Sequence, residues 1–307
     1  MSFKDNLVFI TNNTVADASE WPNIGAIALE TFSVVIDSSD SYLHAKNFRE
    51  KIENHFGFPT KYLVITHYHA DHIGGLDAFT GSKIVFSEQT SKRIRLKNSV
   101  PFTDQYIIKD RNQTIEIYHS GGHTAGSSFV YYPKDRTIFA GDLIIADMFP
   151  PYGADNTCDP DLWIKALERI IDLKPTKIVP GHGSILNGWE ELDKHLFCLN
   201  KLCKSIKEAI HDNIKPSRIQ ITDYFGEFNK KWAKVTVPRW YSFYKLKEEI
   251  PKILDEFKTK NHEQNKEVLS RMTLRDLGII AGYLGIEIAG KKDNRIEHII
   301  NHISDSV

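Results

Sequence analysis

The sequence predicts an α/β fold, layers of sheet covered by helices, with a helical extension at its C-terminal end. Three observations predict it. Short runs rich in Ile and Val recur through the first 200 residues, with segments of helical spacing between them. From about Trp189 onward those runs stop and long helical patterns take over. The chain has 307 residues and is 41% hydrophobic, so it can bury a sizeable core and exceeds one minimal domain.

The elements follow in order. Leu7–Thr11, Ile24–Glu30 and Phe32–Asp37 read as strands. Ser41 to Phe56 places Leu43, Phe48, Ile52 and Phe56 near helical spacing and stops at Gly57 and Pro59. Lys61–Thr66 is a buried strand. Lys83–Phe86, Thr114–Tyr118, Ser128–Tyr132, Thr137–Ala140 and Lys177–Pro180 are further short strands. Helices fill Glu88–Leu96 and Pro160–Leu173, the second with Asp159 as N-cap and Pro160 at the first position.

Trp189 to Ile214 is one long helical pattern holding Cys198 and Cys203 as core thiols. Residues 215–250 are mixed, basic and aromatic, with Phe225, Phe228, Trp232, Trp240, Tyr241, Phe243 and Tyr244. Residues 258–267 are polar without an apolar period and read as a linker. Thr273 to Ile303 is helical on either side of an extended LGIEIAGKK. The expected division is 1–187, 188–257 and 268–307.

Lys+Arg 39 against Asp+Glu 40 argues against a protein that coats nucleic acid by overall charge. The near-neutrality is a cancellation: net -6 over residues 1–200, +6 over 201–260 and -1 over 261–307. Three cysteines, Cys158, Cys198 and Cys203, cannot make a disulfide framework. The first residues have no signal-peptide core, and no apolar run reaches the roughly 18 residues of a membrane span. A soluble, reduced, cytoplasmic protein without membrane attachment is expected.

The chemistry concentrates after the KYLVIT strand, in His67-Tyr68-His69-Ala70-Asp71-His72. Three imidazoles and a carboxylate beside a buried strand end are costly unless something binds them, and they are ligands that zinc and similar divalent ions prefer. Further candidates each follow a short strand: His123 in GGHTAGS, Asp142 in AGD and His182 in PGHG. Glycines at these points let the chain turn sharply so that side chains can converge.

With those motifs in that order, residues from about 7 to 187 resemble the metallo-β-lactamase-fold hydrolases. The resemblance implies an αββα sandwich with metals at one sheet edge. Position by position, it implies that His67, His69 and His123 hold a first metal and that Asp71, His72 and His182 hold a second, with Asp142 bridging. The implied cofactor is two Zn2+, with Fe or Mn as the other ions such ligands accept. AGDLIIADMFPPYG, a helix and PTKIVPGHG look like the broad hydrolase branch that includes glyoxalase II and lactone-cleaving members.

Divalent ions lower the pKa of bound water toward roughly 7, so metal-bound hydroxide is the expected nucleophile, with Asp71 and Asp142 as the catalytic carboxylates. Tyr68, between two ligands, and the apolar Met148, Phe149, Pro150, Pro151 and Tyr152 are the substrate-contact candidates. Cys158 is a further group that could approach the cleft, and His119 reads as a packed or solvated histidine beside the ligands.

The leading expectation is a hydrolase of an ester, thioester or lactone, acting on a small molecule. Residues 273–303 are similar to SAP-type helix–extended–helix modules, which often bind nucleic acid. That tail and the basic segment make a nucleic-acid phosphodiesterase the alternative, without the β-CASP type of insertion between Asp142 and His182. A mono-iron persulfide dioxygenase is the third reading. Its site needs only His67, His123 and Asp142, so His182 counts against it.

Overall fold

The computed structural model describes residues 7–18, 22–146, 153, 155–221, 230–286, 288 and 290–305. Its β-branched runs assemble into two sheets. The first has seven strands in sequence order: β1 (Leu7–Phe9), β2 (Thr14–Asp17), β3 (Ile24–Ala28), β4 (Ser33–Ile36), β5 (Thr60–Val64), β6 (Lys83–Ser87) and β7 (Ser99–Phe102). Strands β1 to β4 pair antiparallel and β4 to β7 parallel.

The second sheet is built from β8 (Gln105–Asp110), β9 (Gln113–His119), β10 (Ser128–Tyr132), β11 (Thr137–Ile145) and β12 (Lys177–His182), with β12 and β8 at its edges. Its neighbours are antiparallel except β11 and β12, which run parallel. Their connection contains helix α4 (Pro160–Asp172), as a parallel pair requires.

Alternation along the strands separates two cores. Ala16, Ile27, Val34, Val64 and Val85 join Ile108, Ile115, Ile117, Val130, Phe139 and Val179 in a core shared by both sheets. Their neighbours Val15, Ala26, Val35, Leu63 and Ile84 face the other way and pack with Ala45, Phe48 and Ile52 of helix α1 (Tyr42–Phe56). Each fully buried Val, Leu, Ile or Phe side chain among them contributes about 1.5–3 kcal/mol. α4 covers the outer side of the second sheet, its Trp163 fully buried with Nε1–H donating to the Leu143 carbonyl at 2.8 Å. The result is the expected αββα sandwich.

The remaining helices are α2 (Ala70–Ile73), α3 (Glu88–Ser91), α5 (Glu190–His211), α6 (Lys230–Phe257), α7 (His262–Ser270), α8 (Leu274–Leu284) and α9 (Lys292–Asp305). Among the described residues, those up to Ala146 and 158–200 form one compact unit. Residues 153, 155–157, 201–221 and those from 230 onward form a second. The second unit has its own core of Ile250, Phe257, Leu269, Leu277, Ile280, Ile296, Ile299 and Ile300. No helix of the described residues is long and apolar enough to cross a membrane.

Several expectations need correction. The helix over Glu88–Leu96 stops at Ser91, because the chain must turn back to lay β7 parallel beside β6. Residues 258–267 are not a linker throughout: α7 starts at His262, nucleated by a capping box between Asn261 and Gln264. The basic, mainly helical segment expected over 188–257 contains α6, which runs on through Pro238 and Pro251. Strands β2, β7 and β8 are additional, and β11 runs on through Asp142 rather than ending at Ala140.

Candidate metal centre

The ends of β4 and β5 supply the first side of the site. Beyond β4 the chain takes left-handed turns at Asp37 (φ 60) and Ser39 (φ 62), conformations uncommon outside glycine. They aim the Asp37 carboxylate at the next strand end. Oδ1 accepts the Thr66 N–H and Oδ2 accepts the Thr66 hydroxyl, each at 2.8 Å. Oδ2 also lies 2.8 Å from Nδ1 of His72.

His67 follows Thr66, with its Nδ1 3.1 Å from the Thr66 hydroxyl. His69 caps the short helix α2, which carries Asp71 and His72. Ser38 donates both its N–H and its hydroxyl to the His72 carbonyl, at 2.9 and 3.1 Å. Backbone and ring of His72 are thus both held by residues 37–38.

The second sheet supplies the other side. His123 lies in the β9–β10 loop, which closes through Ser120 N–H to Ser127 O at 2.9 Å and Thr124 N–H to Ser127 Oγ at 2.9 Å. Its ring meets Trp163 edge-on, with centroids 5.2 Å apart. Asp142 lies inside β11 beside a bulge at Gly141, where φ is 50 and a Cβ would fall 2.5 Å from the Thr66 hydroxyl. Across the parallel pair, His182 ends β12. Gly181 must lack a Cβ, because one would land on Oδ1 of Asp142. Asn23 clamps this turn: its side-chain amide donates to the carbonyls of Pro180 and Gly183, each at 2.9 Å, and its N–H to that of Gly181 at 2.8 Å.

All seven expected ligands converge. Ligand atoms of His67, His69, His123 and Asp142 lie within 4.8 Å of one another, and so do those of Asp71, His72 and His182. Asp142 divides its oxygens between the groups. Oδ2 faces Nε2 of His123 at 3.4 Å and of His67 at 3.7 Å. Oδ1 faces Nε2 of His72 at 3.1 Å and of His182 at 3.2 Å. Asp71 Oδ2 is 3.2 Å from Nε2 of His182, and its side chain is 31% exposed against 7% for Asp142.

The electrostatics follow from burial and charge. Burial holds His67 well below the usual imidazole range, helped by the neighbouring His72. Burial works against the charged forms of His72 and His182, yet the Asp142 charge raises both, and Asp37 adds to the rise at His72. Burial opposes Asp142 as well, but the charges of His72 and His182 drive it well below the carboxylate range. Asp71 is lowered despite burial by its contact with His182.

These residues fit a metal by their own chemistry. Among the described residues, Nε2 of His67 is buried without a hydrogen-bond partner, and Nε2 of His72 faces only carboxylate oxygens, an arrangement that costs free energy unless a cation takes these lone pairs. Nitrogen and carboxylate donors in two groups suit zinc and similar divalent ions.

Of the other sequence candidates, Tyr68 is half-buried with its ring edge-on to His69 at 5.5 Å. Met148, Phe149, Pro150, Pro151 and Tyr152 lie outside the described residues, as do Phe225 and Phe228. His119 turns its Nε2 to the Ala125 carbonyl at 2.8 Å, and Cys158 is buried. Asp37, Thr66, Asn23 and Trp163 were not anticipated. For Asp37 a signal existed, a carboxylate closing a strand-like run as Asp142 does.

Comparison with known proteins matches the same region. The profile of the metallo-beta-lactamase superfamily matches residues 22–85 and 83–182. The chain is 31% identical over 190 residues to a metallo-beta-lactamase type 2 of Elizabethkingia meningoseptica, covering 58% of this chain and 76% of that protein. It is 25% identical over 172 residues to a beta-lactamase-like protein 2 homolog of Caenorhabditis elegans, covering 53% of this chain and 56% of that one. The chain spans about half the length of the animal relatives it matches. A similar solved structure is a metallo-beta-lactamase from Pontibacter korlensis, with TM-score 0.55 and 22% identity over 63% of this chain and 98% of that one.

Proposed function

The chain belongs to the metallo-beta-lactamase superfamily, and from that premise we propose that it is a dinuclear, zinc-dependent hydrolase of an ester, thioester or lactone. The observation that carries the reading is the Asp142 carboxylate, whose two oxygens face two separate groups of imidazoles. A mononuclear site has no use for the second group.

His67, His69 and His123 with Asp142 Oδ2 would hold one ion, and Asp71, His72 and His182 with Asp142 Oδ1 the other. Bound there, divalent ions supply Lewis acidity toward a substrate carbonyl and lower the pKa of coordinated water toward roughly 7. The chain's own groups do the rest. Asp37 keeps a proton on Nδ1 of His72, so Nε2 is the nitrogen offered to the centre. Asp71 is the ligand carboxylate open to solvent, placed to accept a proton at Oδ2 and pass it outward. The buried walls of Trp163, Thr124 and the two cores keep bulk water from the ligands' far sides.

A nucleic-acid phosphodiesterase is the second reading, favoured by the helices α8 and α9 on either side of residues 285–291, in a stretch whose sequence is similar to the SAP modules. The deciding experiment is metal analysis of the purified full chain followed by assay on thioesters, lactones and single-stranded nucleic acid. Two divalent ions per chain and turnover of the acyl substrates are expected. One iron per chain would move the assignment to the dioxygenase, and turnover of nucleic acid alone to the phosphodiesterase.

A further inference from the structure

The connection between α3 and β7 is basic: Lys92, Arg93, Arg95 and Lys97 fall within six residues, in a part of the chain that is otherwise net acidic. Of these, Arg93 is tied to the candidate centre. Its guanidinium lies over the Tyr68 ring, 5.4 Å from the centroid, and that ring stands edge-on to His69. Tyr68 is thus a step between a ligand histidine and an exposed arginine.

Of the other arginines seated on rings among the described residues, Arg169 over Tyr118 has no side-chain acceptor, whereas Arg49 has acceptors of its own. Arg49 lies over Phe79 but donates from Nε to Glu53 and from Nη1 to the Ala78 carbonyl. Arg93 has no carboxylate or other side-chain acceptor among the described residues. A flat guanidinium held in place by an aromatic face, its donors unused, is preorganised for a bidentate oxyanion.

We propose that Arg93 is a specificity-determining residue, receiving a carboxylate or phosphate at the end of the substrate remote from the bond cleaved. The inference rests on the hydrolase reading for its substrate, and on geometry alone for its anion. It narrows the acyl substrate to one carrying a negative charge.

The test uses the metal-loaded full chain and two readouts. In the first, calorimetry measures the binding of glutarate and of 4-phosphonobutyrate to wild type, R93K and R93Q. Arg93→Gln should weaken at least one of them about tenfold or more, the scale of a lost charged hydrogen bond. Arg93→Lys, which keeps the charge and loses the fork, should fall between. Whichever anion loses more identifies the group.

In the second, kcat/KM is compared for 4-nitrophenyl butyrate and for the 4-nitrophenyl monoester of glutaric acid. The preference for the anionic ester should collapse in R93Q through KM. Unchanged binding of both anions in R93Q, or equal loss on both esters, would overturn the proposal. Arg93-dependent anion binding without turnover of either ester would instead leave the anion site standing and remove the hydrolase reading.

Discussion

Nδ1 of His72 and Oδ2 of Asp37 lie 2.8 Å apart, both side chains buried, Asp37 directly after β4 and His72 on α2, which follows the parallel neighbour β5. The same carboxylate takes both donors of Thr66. It therefore sets the tautomer of one candidate ligand and the path of the chain leading to three others. Asp37→Asn keeps the shape but presents an amide N–H to His72, which reverses the tautomer. We expect metal affinity to fall about 10–100-fold, measured by competition with a chromogenic chelator. Affinity equal to wild type would remove Asp37 from the centre's support.

Asp142 is the shared ligand of the proposed dinuclear site, so Asp142→Ala should lower metal content below two ions per chain and abolish hydrolysis. Metal analysis and turnover read this together. A fully active variant would refute the bridging assignment.

Metal uptake should release protons. Despite burial, the Asp142 charge raises His72 and His182 above the ordinary imidazole range, so the metal-free chain holds protons on these rings more tightly than a free imidazole does. Coordination needs neutral imidazole, so binding expels those protons and affinity falls as pH drops. The sign for stability follows. The contribution of these two histidines to the metal-free chain is fully present below 6.5 and is lost as pH rises through their folded values. Titration calorimetry of zinc binding in buffers of different ionisation enthalpy checks the release, and buffer-independent heats would contradict it.

Gly181→Ala puts a methyl group onto Asp142 Oδ1. Strand β12 and the carboxylate cannot both keep their places, so metal retention through gel filtration should drop. Loss of metal with an unchanged far-ultraviolet spectrum is the expected pattern.

Trp163 is fully buried, donates to the Leu143 carbonyl and flanks His123. Trp163→Ala should cost about 3–5 kcal/mol in denaturant unfolding. Trp163→Phe should cost less, about 1–3 kcal/mol for the carbonyl left without its donor.

How much of this could be read from sequence depends on whether the information is local. His67, His69, Asp71 and His72 declare themselves because four ligand-type residues fall within six positions. His123, Asp142 and His182 gain meaning only as an ordered set after strands, and the sandwich brings them to the same place. Asp37 and Asn23 are illegible locally. Asp37 acts because β4 pairs with β5, and Asn23 because its amide reaches residues 180–183 in the other sheet. The helix α7 was hidden for a different reason. It is polar and buries only Asn265 and Leu269, so a capping box, not periodicity, marks it. Strand β7 carries Pro101, acceptable because it is an edge strand with one pairing partner.

Candidate ligands reach the centre from both sheets, His67 to His72 after β5 and His123, Asp142 and His182 from the loop and strands of the second. Neither sheet holds all of either candidate ligand group: the first group needs His123 and Asp142, the second needs His182. An ion bound there works as a rivet through the seam of the sandwich. Without it, each sheet can open at its own free energy; with it, opening either one must first release the ion. Hydrogen exchange of the metal-free chain should then resolve the two sheets into separate protection levels, and metal should merge them into one.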